Sequence, residues 1–162
     1  MAEPEQKTYH DKLGTPFTVV GCGIEDILRL LDMYDTFMPE EIAQGLPPTE
    51  KTARIAWIRT LLERGENYAA IIEGKVVGHG ALVSNRERNE GEYIIFIARP
   101  YRKRGLATVL TKTAIQRAKA LGLGSVWLTV ESDNFKAIKL YTKMGFRFCD
   151  EGLSERQMAL LL

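Results

Sequence analysis

The sequence predicts one α/β domain of the α+β kind, a mixed sheet covered by helices on both faces. Three observations predict it. A chain of 162 residues and 18.3 kDa is long enough for one core and short of two. Its apolar periodicity runs in the order β, α, α, β, β, β, α, β, α, β, β, with no internal repeat or low-complexity tract. Hydrophobic residues at 45% and charged residues at 27% are ordinary globular usage, which points away from a disordered chain and from a membrane protein.

Residues 1–14 read as a polar N-terminal tail without the apolar centre of a secretory signal, and residues 15–162 as the domain. No run of about 18 apolar residues occurs, so a cytoplasmic location is the expectation. Phe17 to Gly21 reads as a short strand. Ile24 to Met38 carries Ile27, Leu28, Leu31, Met33 and Tyr34 at helical spacing and predicts the first helix. Pro39, Gly45, Pro47 and Pro48 break the chain, and Thr49 is expected to cap a second helix that turns Ile55, Ile58, Leu61 and Leu62 inward and ends near Gly65. Tyr68 to Ile72 and Val76 to Val83 flank Glu73-Gly74-Lys75, the composition of a hairpin turn. After the charged loop Asn85 to Gly91, the apolar run Tyr93 to Ala98 predicts a strand buried on both faces. Val109, Leu110, Ala114, Ile115, Ala118 and Leu121 then mark the clearest helix of the chain, closed by Gly122 and Gly124. Ser125 to Val130 predicts a strand and Asn134 to Met144 a short helix, with Phe146 and Met158 to Leu161 as the last strand material.

Twenty-two Lys and Arg against 21 Asp and Glu leave a formal charge of +1, which provides no global field for nucleic acid or for an anionic membrane. Two cysteines, Cys22 and Cys149, and two histidines give no disulfide framework and no metal cluster. Reduced thiols and a metal-free site are the expectation.

The most informative stretch is Arg102-Lys103-Arg104-Gly105-Leu106-Ala107-Thr108, between an apolar strand and a long amphipathic helix. A helix start exposes unpaired N–H groups and the positive end of the macrodipole, so a turn that aims them at one point makes a site for a pyrophosphate. Side-chain bulk is the obstacle there, and Gly105 and the small Ala107 lessen it, while Arg102, Lys103 and Arg104 add positive charge. The string is not a Walker loop or a dinucleotide fingerprint, because the Lys and Ser or Thr of the one and the glycine spacing of the other are missing. Taken by itself it also fits a basic, solvated turn.

Together with Asn134, Ala137, Tyr141, Gly145 and Phe146 downstream, this loop resembles the GNAT superfamily of N-acetyltransferases. In that family a turn of Arg or Gln, two residues, Gly, one residue, then Gly or Ala binds coenzyme A. The match runs from about Tyr93 to Phe148. The resemblance implies a mostly antiparallel sheet with a V-shaped split between its two central strands, Tyr93 to Ala98 and Ser125 to Val130, the first often bulged. It also implies acetyl-coenzyme A as cosubstrate, a primary amine of a small molecule or protein as acceptor, and no metal. A homodimer is left open.

Carried over residue by residue, the resemblance puts the pyrophosphate on the backbone of Arg102, Lys103, Arg104, Gly105, Leu106, Ala107 and Thr108. The pantetheine arm falls on the backbone of Phe96 and Ile97. Asn134 matches a position that contacts the cofactor or organises its loop, and it can equally cap the helix it precedes. Tyr141 matches the residue whose hydroxyl protonates the departing thiolate, with packing against Ala137 and Met144 as the plainer role. For the base, Glu92 is the first candidate and Glu131 the second. The sequence departs from the family here, since Gly91 and Tyr93 occupy the alternating positions that usually hold the carboxylate, and Glu92 faces the other side unless a bulge shifts the register. Pro100 also lies one residue later than the family's proline, with Arg99 in its place.

The implied reaction is direct attack of an amine on the thioester in a ternary complex, with a backbone N–H near Ile97 polarising the carbonyl. Neither cysteine has the neighbouring base that a covalent route needs. Met33 to Thr52 and Asn85 to Gly91 are expected to choose the acceptor, with Asp32, Asp35, Glu40 and Glu41 able to attract a cation or only to face water. His79 is expected near the acceptor or packed in the sheet, and Trp57 and Trp127 in the core. The rival from another class is a catalytically weak coenzyme A binding or sensing module. A nucleic-acid binder using Arg99 to Arg104 is disfavoured by the near-neutral charge.

Overall fold

Alternating apolar runs and turn residues fold the central part of the chain into consecutive antiparallel strands. The computed structural model describes residues 6–42, 45–149 and 155–162, so the first five residues of the expected tail and positions 43 and 44 of the acceptor-facing segment lie outside the described residues. Strands β1 (Thr8–His10), β2 (Pro16–Cys22), β3 (Glu66–Ile72), β4 (Lys75–Asn85), β5 (Glu90–Ile97), β6 (Ser125–Glu131), β7 (Arg147–Phe148) and β8 (Glu155–Leu161) join in one sheet ordered β1-β2-β3-β4-β5-β6-β8-β7. Every neighbouring pair is antiparallel except β5 with β6.

Four α-helices complete the described fold: α1 (Ile27–Tyr34), α2 (Lys51–Arg64), α3 (Leu106–Ala120) and α4 (Phe135–Lys143). The sheet's two faces bury separate clusters. Leu30, Tyr34 and Ile58 from α1 and α2 pack with Ala69 and Val76 on one face, with Phe96 against them. On the other face Leu106 and Leu110 of α3 pack with Phe17, Ala70 and Val77, and Ala114 and Ala118 join Tyr93, Leu128, Val130, Tyr141 and Met158. The small residue Gly78 lets α3 lie close to β4, because a Cβ there would come 2.8 Å from Ile97 Cδ1 and 3.2 Å from Leu110 Cδ1. Among the described residues no helix is long and apolar enough to cross a membrane.

Three details differ from the sequence expectation. Thr8–His10, within the stretch read as a polar tail, pairs with Pro16–Thr18 as an edge strand. The first helix spans Ile27–Tyr34, with 3-10 turns at Ile24–Asp26 before it and Pro39–Glu41 after it, in place of one helix from Ile24 to Met38. Glu50, not Thr49, caps α2, its carboxylate accepting from Thr52 N at 3.2 Å and Ala53 N at 2.9 Å. The hairpin turn holds Glu73 and Gly74 at φ 50° and 75°, the left-handed pair that matches the strands' twist.

Candidate active site

Pairing between β5 and β6 is brief. Glu90, Gly91 and Glu92 pair with Ser125, Val126 and Trp127, and beyond Glu92 the parallel strands part. Tyr93 to Ile97 and Leu128 to Glu131 then form the two walls of a cleft of about 750 Å³, within the range of small-ligand sites. The loop 101–108 and residues 134–141 of α4 close its wide end. The V-shaped split thus follows from three residues of pairing followed by divergence.

The expected bulge in β5 does not form. Its register against β4 is uninterrupted from Gly78↔Ile97 to Asn85↔Glu90, and the sheet's irregularity falls instead between Ala70 and Ile71 of β3. Unbroken alternation places Glu92 on the face of Ile94 and Phe96, the α1 and α2 side, and Tyr93 on the face of α3. Ala98 N donates to Val77 O at 2.9 Å, and alternation from there turns the peptide groups of Phe96 toward β4 and those of Ile97, Ile95 and Tyr93 toward the cleft. Ile97 therefore has the orientation expected of it. Phe96, also in the cleft lining, turns its peptide group toward β4, and its ring packs edge-on against Tyr34, Phe37 and Trp57, with centroids 5.6–6.0 Å away. The peptide groups of Ile95 and Tyr93 share the orientation of Ile97, as counting by twos along the strand gives.

At the wide end, α3 begins without a capping side chain: Gly105, at φ 98°, is its N-cap and makes no side-chain hydrogen bond. The first N–H groups of a 15-residue helix, those of Leu106, Ala107 and Thr108 among them, thus lie at the cleft without a cap. In α2 and α4 the carboxylate of Glu50 and the amide oxygen of Asn134 fill that role. Asn134 caps α4 through Ala137 N at 3.3 Å while lining the cleft.

Both arginines are tied into the fold, and of the two Arg102 lines the cleft. Arg102 Nε donates to Ile97 O at 2.8 Å, its guanidinium lies over the Phe37 ring, and Nη1 is 3.6 Å from Glu41 Oε1. Arg104 Nε donates at 2.7 Å to Asp11, and Nη2 at 3.1 Å to Thr15 Oγ1. Both side chains hold the turn in place, and Lys103, at φ 63°, is the cation of the three that lines the cleft without a carboxylate or carbonyl partner among the described residues.

Two titratable groups sit deeper. Tyr141 is 7% exposed, packs on Phe146, and burial pushes its phenol up to about 12. Glu92 is half-buried at the vertex, and burial raises its carboxyl above the usual range. Glu131 lines the far wall, and Glu41 and Leu46 line the side nearest the 3-10 turn. The loop Asn85 to Gly91, expected to choose the acceptor, does not line the cleft; it lies at the narrow end, where Asn89 O accepts from Gly124 N. Asp35 is committed to Arg54 at 2.5 Å.

His79 is buried away from the cleft. Its Nε2 donates to Asn67 Oδ1 at 2.8 Å, and the Tyr34 hydroxyl donates to Nδ1 at 2.6 Å, while Asn67 Nδ2 donates to Leu61 O. Burial drops its pKa to about 4, so it is a neutral strut between α1, α2, β3 and β4. Cys22 is raised to about 12, by burial first and then by Asp26 and Glu25, which leaves it a thiol without nucleophilic character; Cys149 is exposed.

The model of the acetyltransferase (GNAT) family matches residues 29–146. The chain is 36% identical over 67 residues to a mycothiol acetyltransferase of Parafrankia sp., covering 41% of this chain and 21% of that protein. It is 27% identical over 132 residues to an L-methionine sulfoximine/L-methionine sulfone acetyltransferase of Pseudomonas aeruginosa, 77% of each chain. The chain thus spans about a fifth of the length of the mycothiol enzyme. The crystal structure of the GNAT domain of S. lividans PAT superposes with a TM-score of 0.82 over 99% of this chain and 100% of that one, at 16% identity, a likeness of fold.

Proposed function

The chain belongs to the acetyltransferase (GNAT) family, and from that premise we propose that it transfers an acetyl group from acetyl-coenzyme A to a primary amine of a small molecule or protein, within a ternary complex. One observation carries the reading: the parting of β5 from β6 and the uncapped start of α3 open into the same cleft. The cleft fits the cosubstrate, since anion-seeking amides stand at its wide end and unpaired strand edge runs along its wall.

Acetyl-coenzyme A supplies the acetyl group, activated as a thioester. The amides at the start of α3 bind its pyrophosphate, and Ile97 and Ile95 bond its peptide-like arm as an added strand would. An N–H of that edge, nearer the vertex than Ile97, polarises the carbonyl. Glu92 lies on the α1 and α2 face but lines the cleft at its vertex, and from there it takes the amine's proton, directly or through water; its raised pKa matches it better to that task near neutral pH. Tyr141 keeps its proton at neutral pH and donates a hydrogen bond to the leaving sulfur. With a phenol near 12 against a thiol of about 8.5, full transfer is uphill by roughly 3.5 units, so donation without transfer is the more favourable role.

Thiol release from acetyl-coenzyme A, followed across a panel of primary amines, tests this. Turnover with at least one amine is expected. Tyr141→Phe should lower kcat by roughly a hundredfold with cofactor affinity kept, and Glu92→Gln should lower kcat/KM comparably and remove its acid limb. Cofactor binding with no turnover across the panel would favour the sensing module.

A further inference from the structure

Arg102 stands between the edge of β5 and the 3-10 turn Pro39–Glu41. Its Nε–H donates at 2.8 Å to Ile97 O, a carbonyl that faces the cleft, while Nη1 lies 3.6 Å from Glu41 Oε1. Arg102, Ile97 and Glu41 all line the cleft.

Glu41 is the unsatisfied partner of the three. Its side chain is 5% exposed, and Oε2 accepts from Met38 N at 2.7 Å, but Oε1 is buried with no hydrogen-bond partner among the described residues. Arg102 Nη1 and Arg99 Nε, at 3.6 and 3.9 Å, attract that oxygen without bonding it. A buried carboxylate oxygen left so is costly, and a short move of the Arg102 fork would satisfy it. The bond to Ile97 O holds the fork back.

Ile97 O is also the acceptor that an N–H of a peptide-like arm needs if the arm adds to β5 as a strand. A carbonyl can accept two bonds, but the guanidinium lines the cleft beside this one and occupies the side from which the arm approaches. Arm and arginine therefore compete for it.

We propose that Arg102 and Glu41 are positioning residues that couple the cofactor to the turn after α1: the incoming arm takes Ile97 O, and the released guanidinium closes a hydrogen bond to Glu41 Oε1. The turn Pro39–Glu41, in the segment expected to choose the acceptor, is then held more tightly once the cofactor is bound. The proposal rests on the acetyltransferase reading and deepens it, since the cofactor itself completes the acceptor's surroundings. The coupling is reciprocal, so a firmer turn also favours the cofactor.

Amide hydrogen exchange and calorimetry of the full chain with coenzyme A test it. Saturation with coenzyme A is expected to slow exchange at Met38 and Ile42 roughly fivefold. Glu41→Gln keeps an oxygen for Met38 N but presents an NH2 group to Arg102. In that variant the slowing is expected to vanish, and coenzyme A to bind about fivefold more weakly. Arg102→Met is expected to erase the effect of Glu41→Gln, so that the double variant binds coenzyme A as Arg102→Met does. Equal slowing in Glu41→Gln and in the parent chain, or affinity losses that simply multiply, would overturn the coupling while leaving the acetyltransferase reading standing. The exchange comparison decides the matter should Arg102→Met fail to fold. No uptake of coenzyme A by the parent chain would overturn both.

Discussion

At the scale of single residues, chemistry was legible where it depends on type and spacing, and illegible where it depends on partners. Gly105 could be named from its place in the basic turn, and Tyr141 only through the resemblance to the family. The commitment of Arg104 to Asp11, 93 positions away, could not, because nothing local distinguishes an arginine that meets a phosphate from one that meets a buried carboxylate. His79 is a similar case. Its neutral state follows from burial and from an acceptor and a donor supplied by Asn67 and Tyr34. A histidine that titrates near 4 when folded and near 6.5 when unfolded gives stability that is complete above about pH 6.5 and declines as pH falls toward 4. The linked loss is on the order of 3 kcal/mol across that window. Urea unfolding at several pH values should show this slope, and His79→Gln, less stable at pH 7, should have a flatter profile between pH 6.5 and 4. A variant with an unchanged slope would remove His79 as its source.

At the scale of elements, most helices and strands were predicted within a few residues, and the errors fall at ends. Glu50 replaces Thr49 as cap because α2 begins at Lys51, one residue later than a Thr49 cap requires, and the Glu50 carboxylate accepts from the amides two and three residues on. Strand β1 escaped notice because three polar-flanked residues carry no period, and only pairing with β2 makes them a strand. The start of α3 is the element on which function depends most. A Cβ at Gly105 would meet nothing within 4 Å, so Gly105→Ala pays only for its positive φ, about 1 kcal/mol, or a few degrees of Tm. The same substitution puts a methyl group at the turn where the backbone has to come close to a bound pyrophosphate. Coenzyme A affinity measured by calorimetry should therefore fall roughly tenfold, beyond what the small stability loss explains. Unchanged affinity would show that the turn is only a turn.

At the scale of the whole molecule, one topological fact organises the cleft: the single parallel pair among the described strands is joined over three residues and then opens. The order of elements could be read from the periodicity, while the opening came only from the resemblance, because it depends on register between strands separated by α3. The uninterrupted β4–β5 ladder decided the side of Glu92 for the same reason. The separate cores on the sheet's two faces keep the cleft walls fixed, α1 and α2 supporting β5 through Phe96, and α3 with α4 supporting β6 through Leu128 and Val130. The most direct measurement is amide NMR of the labelled chain titrated to saturation with coenzyme A. The account predicts large shifts at Gly105, Leu106, Ala107 and Thr108, and at Ile95 and Ile97, with Phe96 and the β2–β3 pairing nearly unmoved. Saturation with the α3 amides and the odd-numbered edge of β5 left unchanged would contradict it.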